Sequence, residues 1–408
     1  MKLEKKKVIS GMFVVIILLV SVFGALWYFD KHNIKPRVID LYGDTYYDIG
    51  LMYGSKIKSL VNGIDTCVSY LENIVKSLTD LNITKYIEGY LDYIPDYIKE
   101  IMNGTSVSSG LAFDRILLLN SIGEIFHHIY LSLYSCSQFA VINNSFPEVG
   151  PIFGRTMDYQ FNELFENWQV VLRVKPPTDK DNSVIGIGIA GMVGLQNGMN
   201  DKGLCMGVTQ VSSTELGYGT PSPITIFDTL IKNSNTYEAE QYIKNGTYMK
   251  HASAWTYLLL DKNEVSAIVE VTNKNNFTRW HQEEGNDYIV STNHFVSVNM
   301  TSHGTHRNDL SSDSGSVLRK KVLEEELLIK VNYDLEDAIK TLRSHYDISI
   351  SGDPGQPYHN CVCNNDDFGS MHGFIGVPMH NYTLISLVNP AEGSFYLITF
   401  SEIIGPVA

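Results

Sequence analysis

The sequence predicts an α+β fold in which two β-sheets lie between two layers of helices. Between residues 38 and 133, apolar residues recur at three- and four-residue spacing, which is typical of amphipathic helices. From residue 136 onward, short apolar runs alternate with Gly, Asn and Asp turns, and two helical stretches interrupt them. This arrangement fits a four-layer αββα sandwich, although periodicity alone also permits other α+β folds.

The chain begins with a lysine cluster and an apolar run. Residues 8–29 carry no charge and follow MKLEKKK, a combination long enough to cross a bilayer with the lysines in the cytoplasm. We therefore expect residues 1–29 to form a signal-anchor transmembrane helix, which places the body in the extracellular or lumenal space. The alternatives are a cleaved signal peptide, which would give a secreted protein, and a buried core helix.

The sequence also contains candidate glycosylation sites and carries a net negative charge. Seven Asn-x-Ser/Thr triplets agree with an exported glycoprotein, although a chain rich in these residues also produces them by chance. They begin at Asn82, Asn103, Asn143, Asn245, Asn276, Asn299 and Asn381. The formal net charge of −14 argues against nucleic acid as a partner, because an acidic body repels phosphate.

The five cysteines are too few for a disulfide-rich scaffold. They are Cys67, Cys136, Cys205, Cys361 and Cys363. An odd number in an exported protein indicates a free thiol, while one or two disulfides stay open and the sequence does not pair them.

Residues 30–135 are expected to form a helical pro-segment or small subunit. Residues 55–78, 92–102 and 111–126 carry the helical pattern, with breaks near Pro95 and Gly104. Within residues 136–408, the predicted helices are 224–244 and 314–345. The strands predicted there are 138–142, 168–174, 184–190, 204–211, 255–260, 265–271, 287–292, 374–378, 383–389 and 394–400.

Cys136 is the candidate nucleophile. It opens the strand pattern in SCSQFAV, and a Gly-Arg-x-x-Asp turn over residues 154–158 follows. A thiol nucleophile needs a base, and an N-terminal cysteine can use its own α-amine, whose reference pKa is about 7.7–8.0. This chemistry requires a peptide break between Ser135 and Cys136. Arg155 could then support the thiolate or an oxyanion, and Asp158 could fix the amine. The alternative is that Cys136 is a buried core cysteine without a catalytic role and that Arg155 and Asp158 form an ordinary ion pair.

Four motifs in order give a specific resemblance. They are Cys-Ser-x-Phe-Ala from residue 136, Gly-Arg-Thr-Met-Asp-Tyr from 154, Gly-Met-Asn-Asp-Lys-Gly-Leu at 198–204 and Ser-Thr-Asn-His-Phe at 291–295. With GDTYYDIGLMYG at 43–54, they resemble the cysteine N-terminal-nucleophile hydrolases over roughly residues 40–400. The pattern is similar to the penicillin acyltransferase family, whose relatives include acid ceramidase, N-acylethanolamine acid amidase and choloylglycine hydrolase.

The resemblance assigns roles to particular residues. It implies that Cys136 is the nucleophile, that Arg155 and Asp158 are the family's charged pair, and that Asn293 is an oxyanion-hole donor. Gln210 stands where choloylglycine hydrolases have a second oxyanion donor, although glutamine there departs from the family pattern.

The late active-site arginine of the family has two candidates in this sequence. Arg319 is favoured because it opens a helix pattern three residues after Ser316. Arg307 is close enough in sequence that a loop insertion could exchange the two.

The function implied is an autocatalytically processed amidase or acyltransferase. It would cleave a linear amide of a small N-acyl substrate through a thioester on Cys136, and residues 136–408 would form the catalytic domain. The two fragments are expected to stay associated, because the amphipathic helices need an apolar partner. Two alternatives are a non-catalytic exported binding domain and a cysteine peptidase with His294 or His251 as base.

No metal or cofactor is expected. A set of His359, Cys361, Cys363 and His372 could be imagined around zinc, but its spacing matches no standard zinc site.

Overall fold

Two β-sheets form the centre of the protein, and their strands are antiparallel except for the parallel pair of Val38–Leu41 and Gln169–Val174. The computed structural model describes residues 34–80, 82–129, 135–142, 148–159, 162–305, 315–330, 332–348, 361–364, 369–401 and 403–406. The eight-stranded sheet contains, in spatial order, β1 (Val38–Leu41), β4 (Gln169–Val174), β5 (Val184–Ile189), β6 (Asn197–Asn200), β7 (Leu204–Gln210), β8 (Trp255–Asp261), β9 (Ser266–Val271) and β10 (Asn276–Trp280). The seven-stranded sheet contains β11 (Tyr288–Ser291), β2 (Ser137–Val141), β3 (Ile152–Asp158), β12 (Ser370–Val377), β13 (Tyr382–Ser386), β14 (Tyr396–Thr399) and β15 (Ile403–Pro406).

Alternation along the strands separates three layers of core. On β2, Ala140 points into the apolar layer between the two sheets, while Phe139 and Val141 point to the helices outside. On β4, Val171 lies between the sheets, and its neighbour Leu172 faces the other helical layer. This period of two is the geometry of a strand with both faces covered.

Helices cover both outer faces. The segment before Cys136, called the leader segment below, contains α1 (Tyr46–Ile57), α2 (Val61–Leu78), α3 (Ile83–Glu88), α4 (Asp96–Ser109) and α5 (Phe113–His128). The later helices are α6 (Asn162–Phe165), α7 (Ser222–Lys232), α8 (Thr236–Asn245), α9 (His281–Glu284), α10 (Gly315–Leu328) and α11 (Leu335–Leu342). Helices α1–α5 share one core with α7 and α8 against the eight-stranded sheet, and α10 and α11 pack on the seven-stranded sheet.

Local sequence signals explain several helix ends. Thr45 starts α1 with a capping box, in which its side chain and that of Asp48 bond each other's backbone amides. Asp334 and Asp337 do the same for α11. Helix α4 ends at Gly110, whose φ of 84° is a left-handed conformation that favours glycine.

The predicted α+β sandwich of sheets and helices is therefore present, with one correction to the fold class. The transmembrane helix was expected at residues 8–29, which lie outside the described residues. Among the helices that the structure does describe, none combines the length and apolar character needed to cross a membrane. The fold is corrected accordingly to an αββα sandwich with a helical leader segment.

Two local predictions also change. The Gly-Arg-x-x-Asp sequence forms strand β3 rather than a turn, because it pairs with β2 on one side and β12 on the other. The leader segment is not wholly helical, since β1 pairs in parallel with β4 through Val38↔Val171 and its neighbours. The leader segment is thus hydrogen-bonded into the eight-stranded sheet.

Candidate active site

Cys136 immediately precedes β2, and the hydrogen bonding between β2 and β3 extends past it to Ser135. The amide of Ser135 donates to the carbonyl of Asp158 at 3.1 Å. The carbonyl of Cys136 accepts from Arg319 Nη1 at 2.7 Å. Arg155 Nη2 lies 3.6 Å from the sulfur, which belongs to a residue only 1% exposed. The peptide between Ser135 and Cys136 is therefore held on both sides, with a buried thiol next to it.

Arg155 is fixed by acceptors from the opposite sheet. Its Nε donates to the carbonyl of Val208 at 3.1 Å, and its Nη1 donates to Asn197 Oδ1 at 2.7 Å. Nη1 also lies 3.2 Å from His372 Nε2. A planar guanidinium with several partners loses little further entropy when it contacts a thiolate. The side chain is thus aimed at the sulfur before any substrate arrives.

His372 is built to accept a hydrogen bond from Arg155. Its Nδ1 lies 2.7 Å from Gln169 Oε1, an acceptor, which requires the proton on Nδ1 and leaves Nε2 as an acceptor. Burial, and then the charge of Arg155, hold the pKa of His372 well below its usual value. The imidazole is therefore neutral at physiological pH and positions the guanidinium.

Asp158 ends β3 and is fully buried. Its two carboxylate oxygens accept from Asn364 Nδ2 at 2.7 Å and from Ser370 Oγ at 2.5 Å. In the uncut chain the carboxylate is thus oriented by these two side chains. Its predicted contact with the α-amine of Cys136 can form only after the peptide bond breaks, and it stays a prediction.

Asn293 and Arg319 form the other side of the site. Arg319 Nη2 donates to Asn293 Oδ1 at 2.9 Å, and Asn293 Nδ2 donates to the backbone carbonyl of Gln210 at 2.9 Å. Arg319 Nη1 also contacts Ser137 Oγ at 3.1 Å. The guanidinium fixes the amide orientation, so that Nδ2 is the donor that faces the eight-stranded sheet. Gln210 Nε2 reaches the carbonyl of Gly123 in the leader segment at 3.5 Å.

The electrostatics of the thiol combine opposing effects. Burial raises the pKa of Cys136 above its usual value, and the charge of Asp158 raises it further. Arg155, a hydrogen bond from the backbone of Asp158, and Arg319 lower the same pKa. In the uncut chain burial dominates, so the thiol is protonated at neutral pH and needs a base to become a nucleophile.

A small cavity reaches Cys136 and is lined by residues of both sheets and of the leader segment. It is lined by Leu119, Ile122, Gly123, Glu124, Cys136, Arg155, Met157, Met192, Leu195, Gln196, Val208, Gln210, Ser222, Pro223 and Trp255. A second small cavity adjoins it and is mostly apolar, with Tyr159, Phe165, Ile189 and Met371 as additional lining residues. Together they offer a polar end and an apolar end beside one thiol.

The structure brings Cys136, Arg155, Asn293 and Arg319 into one chain of contacts and places Gln210 and Asp158 next to it. Arg307 lies outside the described residues. Neither histidine of the rival mechanism lines the cavity, since His251 bonds the carbonyl of Ile243 and His294 bonds Ser316.

The imagined zinc set does not assemble among the described residues. Cys361 donates to the carbonyl of His345, and Cys363 donates to Asn389 Oδ1, while His372 contacts Arg155. The described part of the chain contains no group of three or more metal-ligating side chains, and His359 lies outside it. All five cysteines are buried, and none of them is in a disulfide among the described residues.

Several residues that contact or surround the candidate catalytic groups were not predicted as site residues from the sequence. They are Glu124, Gln169, Asn197, Asn364, Ser370 and His372. They come from five separate places in the chain, since Ser370 and His372 both lie on β12, and no single sequence pattern connects them. Asn197 had the nearest signal, because it immediately precedes the Gly-Met-Asn-Asp-Lys-Gly-Leu motif.

Comparison with solved structures gives distant likenesses. A Caenorhabditis elegans ortholog of N-acylethanolamine-hydrolyzing acid amidase has 17% identity and a TM-score of 0.40, over 60% of this chain and 93% of that one. A variant of conjugated bile acid hydrolase from Clostridium perfringens has 12% identity and a TM-score of 0.41, over 65% and 93%. Penicillin V acylase from Agrobacterium tumefaciens has 14% and 0.39, over 65% and 87%. At these scores the likenesses carry no argument of their own.

The sequence comparison is decisive. No curated protein matches the chain. The family model for acyl-coenzyme A:6-aminopenicillanic acid acyl-transferase matches residues 146–351, about half of the chain. The match includes the segments of Arg155, Gln210, Asn293 and Arg319. The chain therefore belongs to this family of N-terminal-nucleophile hydrolases and acyltransferases, and it is an enzyme that acts on amide bonds.

Proposed function

We propose that Cys136 becomes the N-terminal nucleophile of an amidase or acyltransferase after the chain cleaves itself. The observation that carries the proposal is the geometry around one peptide bond. Ser135 is fixed by the backbone of Asp158, the carbonyl of Cys136 is fixed by Arg319, and the thiol lies against Arg155. These contacts fix the backbone on both sides of the peptide bond that the thiol would attack.

Self-cleavage would proceed by an acyl shift from nitrogen to sulfur. The sulfur of Cys136 attacks the carbonyl carbon of Ser135, the carbon–nitrogen bond breaks, and the thiol proton passes to the released amine. Water then hydrolyses the thioester, which leaves a carboxylate on Ser135 and a free thiol and amine on Cys136. Residues 1–135 and 136–408 are the two products.

The mature site would use the new amine as base. The amine of Cys136 takes the thiol proton, and the thiolate attacks the carbonyl of an N-acyl amide. Asn293 Nδ2 is a donor for the oxyanion, and Arg155 stabilises the thiolate. Release of the amine leaves a thioester, and water or a second amine then accepts the acyl group.

The leader segment is expected to remain bound after cleavage. Its strand β1 is hydrogen-bonded to β4, and its helices bury Ile49, Leu71 and Phe126 in the core shared with α7. Burying one such side chain is worth roughly 1.5–3 kcal/mol, so separating the fragments would expose a large apolar surface.

The two adjoining cavities match the two halves of an N-acyl amide. The apolar end, with Phe165, Ile189, Met192 and Met371, matches a hydrocarbon acyl chain. The proposed substrate is therefore a small linear amide with an apolar acyl half.

The first experiment measures the chain itself. Intact mass and N-terminal sequencing of the purified protein should give a fragment that begins at Cys136. The variant Cys136→Ala should remain one chain, while Cys67→Ala, which removes another buried thiol, should be cut normally. An uncut wild-type chain that still hydrolyses amides would refute the mechanism and favour the histidine-based alternative. An uncut chain with no activity towards amides would favour the binding-domain alternative.

A further inference from the structure

Glu124 is a buried carboxyl group in the cavity at Cys136, and the mechanism above does not use it. It lies on α5 of the leader segment and is fully buried. Its Oε1 accepts a hydrogen bond from the amide of Ser222 at 2.7 Å. Both residues line the same cavity as the thiol.

The contact with Ser222 accounts for only one of the two carboxyl oxygens of Glu124. Ser222 is the first residue of α7, so Oε1 caps the N-terminus of a helix, where a negative charge is favourable. The second oxygen, Oε2, makes no hydrogen bond of normal geometry to a described residue, although the side chains of Ser222 and Trp255 lie close enough to lower the pKa of the carboxyl group. No described ion pair includes Glu124. A buried carboxyl oxygen without a partner is costly, which indicates that something else occupies its lone pairs.

The surroundings of Glu124 favour a positively charged occupant. Burial raises its pKa to about 7, so the group is close to half ionised at neutral pH and gains charge when a cation approaches. The indole of Trp255 lies in the same cavity and lowers the pKa of the Glu124 carboxyl group by hydrogen bonding, which favours the charged form. The carboxyl group can thus carry the negative charge that a cationic ligand needs.

The residues that line the two cavities indicate which half of a substrate would lie next to Glu124. Tyr159, Phe165 and Met371 line only the apolar cavity, and Glu124 lines only the polar one. An acyl chain placed at the apolar end leaves the amine half for the polar end. We propose that Glu124 is a specificity-determining residue that binds a positively charged group on the amine half of the substrate.

This inference rests on the proposed function, and it gives the leader segment a place in the mature enzyme. Glu124 precedes the cleavage site, so the fragment before Cys136 must stay bound for recognition to work. The pairing of β1 with β4 supplies that attachment. Substrate recognition is then shared between the two fragments.

The test compares octanoyl amides of equal size. N-octanoyl-1,2-diaminoethane ends in an ammonium group, N-octanoylethanolamine in a hydroxyl group and N-octanoylpropylamine in a methyl group. For the wild-type enzyme, kcat/KM should be at least about tenfold higher for the ammonium substrate than for the methyl substrate, as a charge-assisted hydrogen bond requires. The variant Glu124→Gln retains the hydrogen bond with the amide of Ser222 but loses the charge, and it should lower kcat/KM for the ammonium substrate at least about tenfold more than for the methyl substrate.

Three results would overturn the inference. They are a wild-type enzyme with no preference for the ammonium substrate, one that prefers the hydroxyl substrate, and a variant that lowers kcat/KM equally for all three. The wild-type series decides the question even if Glu124→Gln does not fold.

Calorimetry separates this inference from the proposed function. If the wild-type protein cleaves no amide, the proposed function fails, but binding of the ammonium amide still reports on Glu124. Binding at least about tenfold tighter to the wild type than to Glu124→Gln would support the inference, and equal binding would overturn it.

Discussion

Gly207 offers the sharpest test of how the two sheets position Arg155. It lies on β7, directly opposite the seven-stranded sheet, where a Cβ atom would meet three side chains. The Cβ would lie 2.8 Å from Gln138 Oε1, 2.8 Å from Phe153 Cζ and 3.0 Å from Arg155 Cδ. Ordinary contact begins at 3.4 Å, so the Arg155 side chain would have to shift by about 0.4 Å.

A shift of the Arg155 side chain would disturb the contacts that hold its guanidinium. Its guanidinium is held by Val208, Asn197 and His372 as well as by the thiol. Overpacking in a well-packed core costs about 1–3 kcal/mol, and a small displacement of a catalytic group can cost up to about 10²-fold in rate. We therefore expect Gly207→Ala to slow the formation of the Cys136 N-terminus and to lower amide turnover by about 10- to 100-fold.

The assay needs a control in the same sheet. Gly188 lies on β5, where a Cβ atom would meet a single atom within 4 Å, the carbonyl oxygen of Gly194 at 3.2 Å. The rate of self-cleavage, kcat for an N-acyl amide and the urea midpoint should be measured for Gly207→Ala and Gly188→Ala together. Normal self-cleavage and turnover in Gly207→Ala would refute the idea that close packing of the sheets positions Arg155.

The other two predictions concern Arg319 and buried histidine. The two terminal nitrogens of Arg319 donate to the carbonyl of Cys136 and to the side chain of Asn293, and Arg319→Lys keeps the charge but cannot make both bonds in this geometry. Self-cleavage should therefore slow by about 10- to 100-fold, which a time course followed by mass spectrometry would measure. A normal rate would show that one contact is enough. His251 is buried and its pKa is lowered to about 4, so the unfolded chain binds its proton first and stability falls as the pH drops from about 6.5 towards 4. The loss should reach about 3 kcal/mol by pH 4, and urea unfolding of uncut Cys136→Ala should lose this component of its pH dependence when His251→Gln is added. An unchanged pH dependence would contradict the neutral state of this histidine.

Much of the fold could be predicted because its signals are local. The strands around residues 169–174, 204–210 and 255–261 are apolar and bounded by turn residues, so short windows of sequence contain their signal. Helix α11 likewise follows directly from a capping box and an amphipathic pattern.

The elements that were missed lack such local signals. Strand β3 is buried on both faces and carries Gly, Arg, Thr and Asp, so neither alternation nor apolar content distinguishes it from a turn. It becomes a strand because β2 and β12 supply hydrogen bonds on both edges. Strand β1 has only four residues, and it pairs with a strand more than a hundred positions away.

The sequence by itself determined the family and named the candidate nucleophile. Ordered motifs depend on residue identity and spacing, so Cys136, Arg155 and Asn293 could be named before any contact was known. Tertiary structure decided what holds these residues and what faces them. His372 beside Arg155 and Glu124 near Cys136 are brought together by pairing and packing between distant segments, and the strength of those contacts depends on burial that no local pattern specifies.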